Sequence, residues 1–476
     1  MVSSIRRSLV RVYCSVVALA PLSSTARAES PPSAVPPVIN TLQPTRSMTM
    51  TEALAYAHEH QPAIHAALSR VSASMAEAKI PSARWLPTIG ITGQVFGMTA
   101  NNTTATFTAL TFVDIPRIGA TPATASGSLS PYASTLVGAG LLQEIFDFGR
   151  IGAQRAAADA LVTVERHRAD AERLDIDFSV EETFFSVFAA KGIVSAADDA
   201  YQRSRVHRDL AKRGVDAGLR SPIELTRAEA DLARFDVGRV RSRGGLSVAQ
   251  AVLSAAMGAP DPAIDVSGEA PKASEMPALA EALAMAQRHD PRFAQALAQL
   301  KATEEQTRAI GAELRPDLSL TATLSGRAGG APASSGPTPS GDGWVPNVPN
   351  WDVGVILSWP LFDGTIAARR DAVQTQEQLR HDEIDVVREK EIATVRESYV
   401  QVEVARAALV ALGNEVVAAR ANYQQADARF GAGIGNAVEL ADAEALRTDA
   451  EIQLALGQFE LARARAAFGR AIAEGL

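Results

Sequence analysis

Two stretches of this chain, separated by more than two hundred residues, carry the same residues in the same order. Glu52, Ala53, Leu54 and Ala55, followed by His60, Pro62, Pro87 and Gly97, reappear as Glu281, Ala282, Leu283 and Ala284, followed by His289, Pro291, Pro316 and Gly326, at a constant offset of about 229. Farther on, Ile145-Phe146-Asp147-Phe148-Gly149 recurs as Leu361-Phe362-Asp363-Gly364. Ala217-Gly218-Leu219 with Glu224-Leu225 recurs as Ala432-Gly433-Ile434 with Glu439-Leu440, the offset now about 215. A duplication on this scale fixes the architecture before any element is assigned, because whatever one copy folds into must be built twice. Segment 260–277, which holds Pro260, Pro262, Pro271, Pro277 and Gly268 and has Gly258 just before it, reads as the connection. The expected organisation is a leader at 1–28, a first repeat at 29–259, a linker at 260–277 and a second repeat at 278–476.

The leader sets the compartment. Arg6, Arg7 and Arg11 precede an apolar stretch at 10–22 that is too short to span a bilayer, and Ala26-Arg27-Ala28 fits a signal-peptidase site. Neither a lipidated Cys14 nor a twin-arginine route is favoured over general export. Removal of the leader takes four arginines and no acidic residue, so the net charge falls from −8 to −12. With no long basic run, nucleic acid is a poor partner. Cys14 is the sole cysteine, which excludes a disulfide framework and a cysteine zinc site.

Beyond residue 29 no stretch is apolar for long enough to make a membrane helix, so entry into a bilayer requires a closed β-barrel. Segment 318–325 alternates strictly: Leu318, Leu320, Ala322 and Leu324 against Ser319, Thr321, Thr323 and Ser325. Trp351, Val353, Val355, Leu357 and Trp359 alternate with Asp352, Gly354 and Ser358, with an indole near each end. Ile89, Ile91 and Val95 alternate with Thr92 and Gln94, and Leu136, Gly138, Gly140 and Leu142 form a weaker fourth strand. The same alternation fits a half-buried sheet in a soluble domain, and only the leader tips the reading toward a membrane. Segments 99–130 and 327–350, rich in Thr, Ser, Gly, Pro and Ala, suit long outward loops.

Between residues 149 and 214, and again between 364 and 431, there is no proline and little glycine. Some 65 residues at about 1.5 Å each extend on the order of 100 Å, far beyond the dozen or so of an ordinary globular helix. Such helices belong in a coiled coil or helical barrel. Each ends in a glycine turn: Gly214, Ala217, Gly218 and Leu219 with Ser221 and Pro222, then Gly431, Ala432, Gly433, Ile434 and Gly435 with Asn436. Glycine supplies the left-handed cap, Ser221 or Asn436 caps the returning helix, and Pro222 fits its first turn. After the second turn Glu439 and Asp442 lie three apart on one helix face. Two acids in a first turn also suit the helix dipole without any further role.

In the duplicated order, the Phe-Asp-Gly-like junctions and the Ala-Gly-Leu and Ala-Gly-Ile turns, the mature chain resembles the TolC-like outer-membrane factors, or outer-membrane efflux proteins. The resemblance implies a mixed α and β membrane protein: a homotrimer giving four strands per chain to one 12-stranded outer-membrane β-barrel, continuous with a long periplasmic α-helical barrel. It implies a passive exit channel for a tripartite efflux pump or type I secretion system, docking through its tips (Ala217, Gly218, Leu219, Ala432, Gly433 and Ile434) to a periplasmic adaptor served by an inner-membrane transporter. It also assigns Glu439 and Asp442 to an acidic pore constriction. Two departures stand out: Glu144 replaces the proline usual before the first Phe-Asp junction, and Gly435 occupies a position where some relatives carry a basic gating residue, which implies a different latch.

The remaining readings are a soluble periplasmic coiled-coil scaffold and a general diffusion porin. His58, His60 and His65 have spacings that do not share a helix face, and no phosphate-binding glycine loop occurs. The sequence therefore gives no cofactor, no metal site and no enzyme.

Overall fold

The computed structural model describes residue 44 and residues 46–99, 131–268, 276–329 and 348–474. The leader at 1–28 and most of the two loops at 99–130 and 327–350 lie outside the described residues. In the first half, β1 (Ser47–Met48) precedes α1 (Met50–His60), α2 (Pro62–Glu77) and α3 (Ile80–Ala83). Then come β2 (Thr88–Thr99), β3 (Pro131–Phe146), the long α4 (Arg150–Asp216) and α5 (Pro222–Ala256). After β4 (Asp265–Val266), the second half repeats the order as α6 (Leu279–His289), α7 (Pro291–Ala312), β5 (Asp317–Gly329), β6 (Val348–Ser358), α8 (Gly364–Gly431) and α9 (Ala437–Ala471).

Several helices precede each strand pair, α1, α2 and the short α3 in the first half and α6 and α7 in the second. Pro62 and Pro291 lack the N–H an interior position would use and instead start a new helix at N1. Segment 260–277 is more than a tether, for Ala263 and Ile264 are buried and β4 pairs in parallel with β1.

The Phe-Asp junctions have a local cause. Asp147 is buried after β3 and accepts the N–H groups of Gly149 (3.0 Å) and Ile151, while Phe148 and Gly149 take positive φ to turn the chain into α4. Asp363 caps α8 likewise, accepting from the Thr365 N–H at 2.8 Å and its hydroxyl at 2.6 Å.

β2, β3, β5 and β6 form one antiparallel sheet in that order, so β2 and β6 are open edges. Register places Ile89, Ile91 and Val95 on the same face as Ala139 and Leu141, then Ala322 and Leu324, then Trp351, Val353 and Val355. The fourth strand is one residue out of phase with the sequence reading: Gly138 and Gly140 lie opposite Ser325 and Thr323 on the polar face. Small residues on both faces of β3 left its alternation ambiguous.

The helices pack side by side in the order α5, α4, α9, α8 toward the hairpin tips, and α2, α4, α7, α8 toward the sheet. Their contacts are built largely from buried alanines, with larger side chains concentrated in two equivalent clusters. Val180, Phe184 and Val187 meet Leu253 and Met257 in the first half, and Val395 and Val402 meet Leu461 and Phe468 in the second. Alanine lets helix axes approach closely. At every level the open edges coincide: β2, α2 and α5 on one side, β6 and α8 on the other.

Candidate functional site

The sheet is inverted relative to a soluble protein. Ile91 is 82% exposed and Trp351 73%, whereas Thr323 and Ser325 on the opposite face are 5% and 4% exposed. An apolar face turned outward over four strands, with its polar face enclosed, matches a wall whose exterior solvent is lipid. Trp351 and Trp359 mark its two ends along β6. No helix among the described residues is long and apolar enough to cross a membrane.

At the far end of the long helices the chain makes one turn twice. In the first tip Gly218 takes φ +70° and the N–H groups of Leu219 and Arg220 donate to the Gly214 carbonyl at 2.9 and 3.1 Å. In the second, Gly433 takes φ +78° and the N–H groups of Ile434 and Gly435 donate to the Arg429 carbonyl at 3.1 and 2.9 Å. Left-handed backbone is why glycine sits at both positions. Asn436 caps α9 by accepting the Glu439 N–H at 2.7 Å, whereas Ser221 makes no side-chain cap and α5 starts on Pro222 alone. Leu219 and Ile434 project from the tips, 83% and 74% exposed.

Arginine and glycine exchange places between the tips. Gly214 and Arg220 occupy the positions of Arg429 and Gly435. A Cβ on Gly214 would lie 2.6 Å from Cδ of Arg220, so that side chain folds back over the glycine. It then donates to the Phe430 carbonyl of the second tip and also pairs with Glu224 at 3.2 Å. A Cβ on Gly435 would stand 2.9 Å from the Phe430 backbone nitrogen, so the second tip is packed too tightly there for a side chain of any kind. The cation arrives from the other hairpin. Sequence reading missed Arg220, although the repeat offset of about 215 aligns it with Gly435.

Glu439 in the first turn of α9 and Asp442 in the next share one helix face, as their spacing required. Glu439 pairs with Arg429 at 3.3 Å, while Asp442 is exposed with no ion pair among the described residues.

Behind the tips lies a buried polar seam between the two hairpins. Nε of Arg203 on α4 donates to both oxygens of Glu444 on α9, at 2.8 and 3.0 Å. Glu444 is almost wholly buried, and burial pushes its carboxyl up while Arg203 opposes the shift. Tyr423 on α8 is pushed up to about 12, mainly by burial, and its hydroxyl lies 2.9 Å from Nε2 of His207. Burial also lowers His207, whose Nδ1 is 3.9 Å from Asp427. The other histidines are dispersed: His58 pairs with Asp177 at 2.5 Å, His60 stacks on Tyr56 and His65 meets the Glu59 carbonyl.

The family model for outer membrane efflux protein matches residues 53–259 and 282–474, once over each repeat. The chain belongs to the outer membrane efflux protein family. This outer membrane efflux protein is also similar in fold to solved channels. One is the outer-membrane channel OprN, at 18% identity and TM-score 0.69, covering 91% of this chain and 94% of that one. Another is the CmeC outer membrane channel of Campylobacter jejuni, at 15% identity and TM-score 0.71, covering 90% and 86%. A third is the open state of the MtrE outer membrane channel of Neisseria gonorrhoeae, at 19% identity and TM-score 0.67, covering 90% and 89%. No curated protein sequence gives a significant match. The efflux protein is thus an outer-membrane exit channel with its helical portion in the periplasm, not an enzyme and not a soluble scaffold.

Proposed function

We propose that three copies of this efflux protein close a 12-stranded barrel and form the outer-membrane duct of a tripartite efflux pump or type I secretion system. The observation that carries the trimer is the coincidence of open edges in sheet and helices. Four strands do not close a barrel, and unpaired strand edges are not tolerated in lipid. The first edge of one copy fits the last edge of the next, a head-to-tail contact that makes a ring when it closes.

Transport through such a duct is a gating problem. The tips formed by Ala217, Gly218 and Leu219 and by Ala432, Gly433 and Ile434 dock to a periplasmic adaptor, which couples the channel to an inner-membrane transporter. Their exposed Leu219 and Ile434 supply apolar anchors on a compact turn. Glu439 and Asp442, repeated three times around the axis, narrow and charge the periplasmic entrance. Chemical crosslinking in cells from cysteines placed at Leu219 and Ile434, followed by identification of the captured proteins, tests the partnership. An adaptor and its transporter are expected; capture of neither from either tip rejects the tripartite reading.

A further inference from the structure

Inside the chain, the first repeat meets the second at the periplasmic rim of the sheet. Arg315, just before β5, donates a hydrogen bond to the Phe148 carbonyl at 3.0 Å in the turn between β3 and α4. Alongside, Gln143 lies opposite Leu320, Leu141 opposite Ala322 and Ala139 opposite Leu324. Among the described residues, no first-repeat side chain donates to the equivalent turn of the second repeat, at Leu361, Phe362 and Asp363. The equivalent leading segment of the first repeat, at Trp85 and Leu86, makes no hydrogen bond to a second-repeat turn among the described residues.

The repeat supplies the missing half. Pro87 corresponds to Pro316, so Trp85 and Leu86 stand where Leu314 and Arg315 stand. Phe362 corresponds to Phe146, so Trp359 stands where Gln143 stands. The chemistry changes in a matched way on both sides. The donor Arg315 becomes Leu86, and its neighbour Leu314 becomes Trp85. Gln143 and Glu144 become Trp359 and Pro360, ahead of Leu361 and Phe362. Trp85, Leu86, Trp359, Leu361 and Phe362 are all exposed in the single chain, Phe362 the most at 87%. Phe146, 51% exposed, has the Phe148 ring against it with centroids 4.6 Å apart.

We infer that Trp85 and Leu86 of one copy clasp Leu361 and Phe362 of the next, and that β6 pairs with β2 of the next copy with Val355 opposite Val95 and Trp359 opposite Ile91. This rests on the trimeric reading above and adds its register and its rim contact. The occupant is a second copy, because the exposed residues sit at the two open strand edges and pseudo-symmetry turns two repeats per chain into a ring of six equivalent contacts, alternating polar and apolar. The register also keeps apolar residues on one face. Val355, Trp359, Val95 and Ile91 all belong to the outward set, whereas a slip of one residue places Val355 opposite Gln94.

Engineered cysteines test the register cleanly, since the lone native cysteine, Cys14, lies in the expected leader. The full-length Val355→Cys/Val95→Cys protein, oxidised in outer membranes, is expected to give covalently linked dimers and trimers, and Val355→Cys/Gln94→Cys is not. Links from the slipped pair alone, or from neither pair in a protein that is trimeric in detergent, overturn the register while leaving the trimer standing. A monomer in detergent sinks both. For the clasp, Trp85→Ala and Phe362→Ala are each expected to lower the temperature at which trimers dissociate, with the double variant falling no further than the weaker single. Additive losses, as expected if both side chains simply face lipid, overturn the clasp.

Discussion

The guanidinium of Arg220, in the first tip, donates a hydrogen bond to the carbonyl of Phe430, in the second, at 3.0 Å, and its carbon lies 3.8 Å from the centre of the Phe430 ring. One side chain thereby ties the ends of the two hairpins together by a charge-assisted bond and a cation–π contact, each worth on the order of 1–2 kcal/mol when shielded from water. Removing it frees one tip from the other. Arg220→Ala is expected to raise the spontaneous open probability in planar-bilayer recordings by roughly tenfold or more, the equivalent of about 1.4 kcal/mol. An unchanged open probability rejects the tie as a latch.

The Arg203–Glu444 pair should act on the stability of the seam. Truncating either partner leaves a charge buried without its counterion, which costs about 3–5 kcal/mol. Arg203→Met is therefore expected to be markedly destabilising by thermal unfolding, and the double variant Arg203→Met/Glu444→Met much less so. Additive losses would show that the two side chains act independently.

His207 gives the seam a pH dependence of definite sign. It faces Tyr423 and Asp427 on α8, has Arg203 on its own helix, and shares a small cavity with Glu224, Asp231 and Glu444. Burial holds its pKa below the ordinary imidazole value of about 6.5, so the packed seam binds a proton less readily than a loosened one. The contribution is fully present above about 6.5 and is lost as pH falls below that value toward the depressed pKa. Channel opening should therefore rise on mild acidification, and His207→Gln should flatten the response below about pH 6.5. The same response in the variant assigns the effect elsewhere.

Glu439 and Asp442 should set ionic preference. Glu439→Ala with Asp442→Ala is expected to weaken both cation selectivity and block by multivalent cations in single-channel recordings. Unchanged selectivity rejects the acidic ring.

Much of this fold was legible because its signals are local and repeated. The long helices follow from uninterrupted good helix formers, and their observed bounds, Arg150–Asp216 and Gly364–Gly431, fall where glycine and the Phe-Asp junctions interrupt the run. β5 and β6 were equally plain because their faces differ sharply in polarity. β3 was not, since Gly138, Ala139 and Gly140 look alike from either face. The short pairing of β1 with β4 joins residues more than two hundred positions apart and leaves no periodic trace. Arg220 was hidden for another reason: its role depends on Phe430 in the other hairpin, and attention to the vacant basic position at Gly435 pointed to the wrong tip.

In the proposed trimer, sister copies of the same chain seal the outward apolar face of the sheet into the outer membrane. The most direct measurement is the mass of the particle extracted from outer membranes in mild detergent, after subtraction of bound detergent. Three chains per particle is the predicted result; a folded single chain released into buffer without detergent contradicts it.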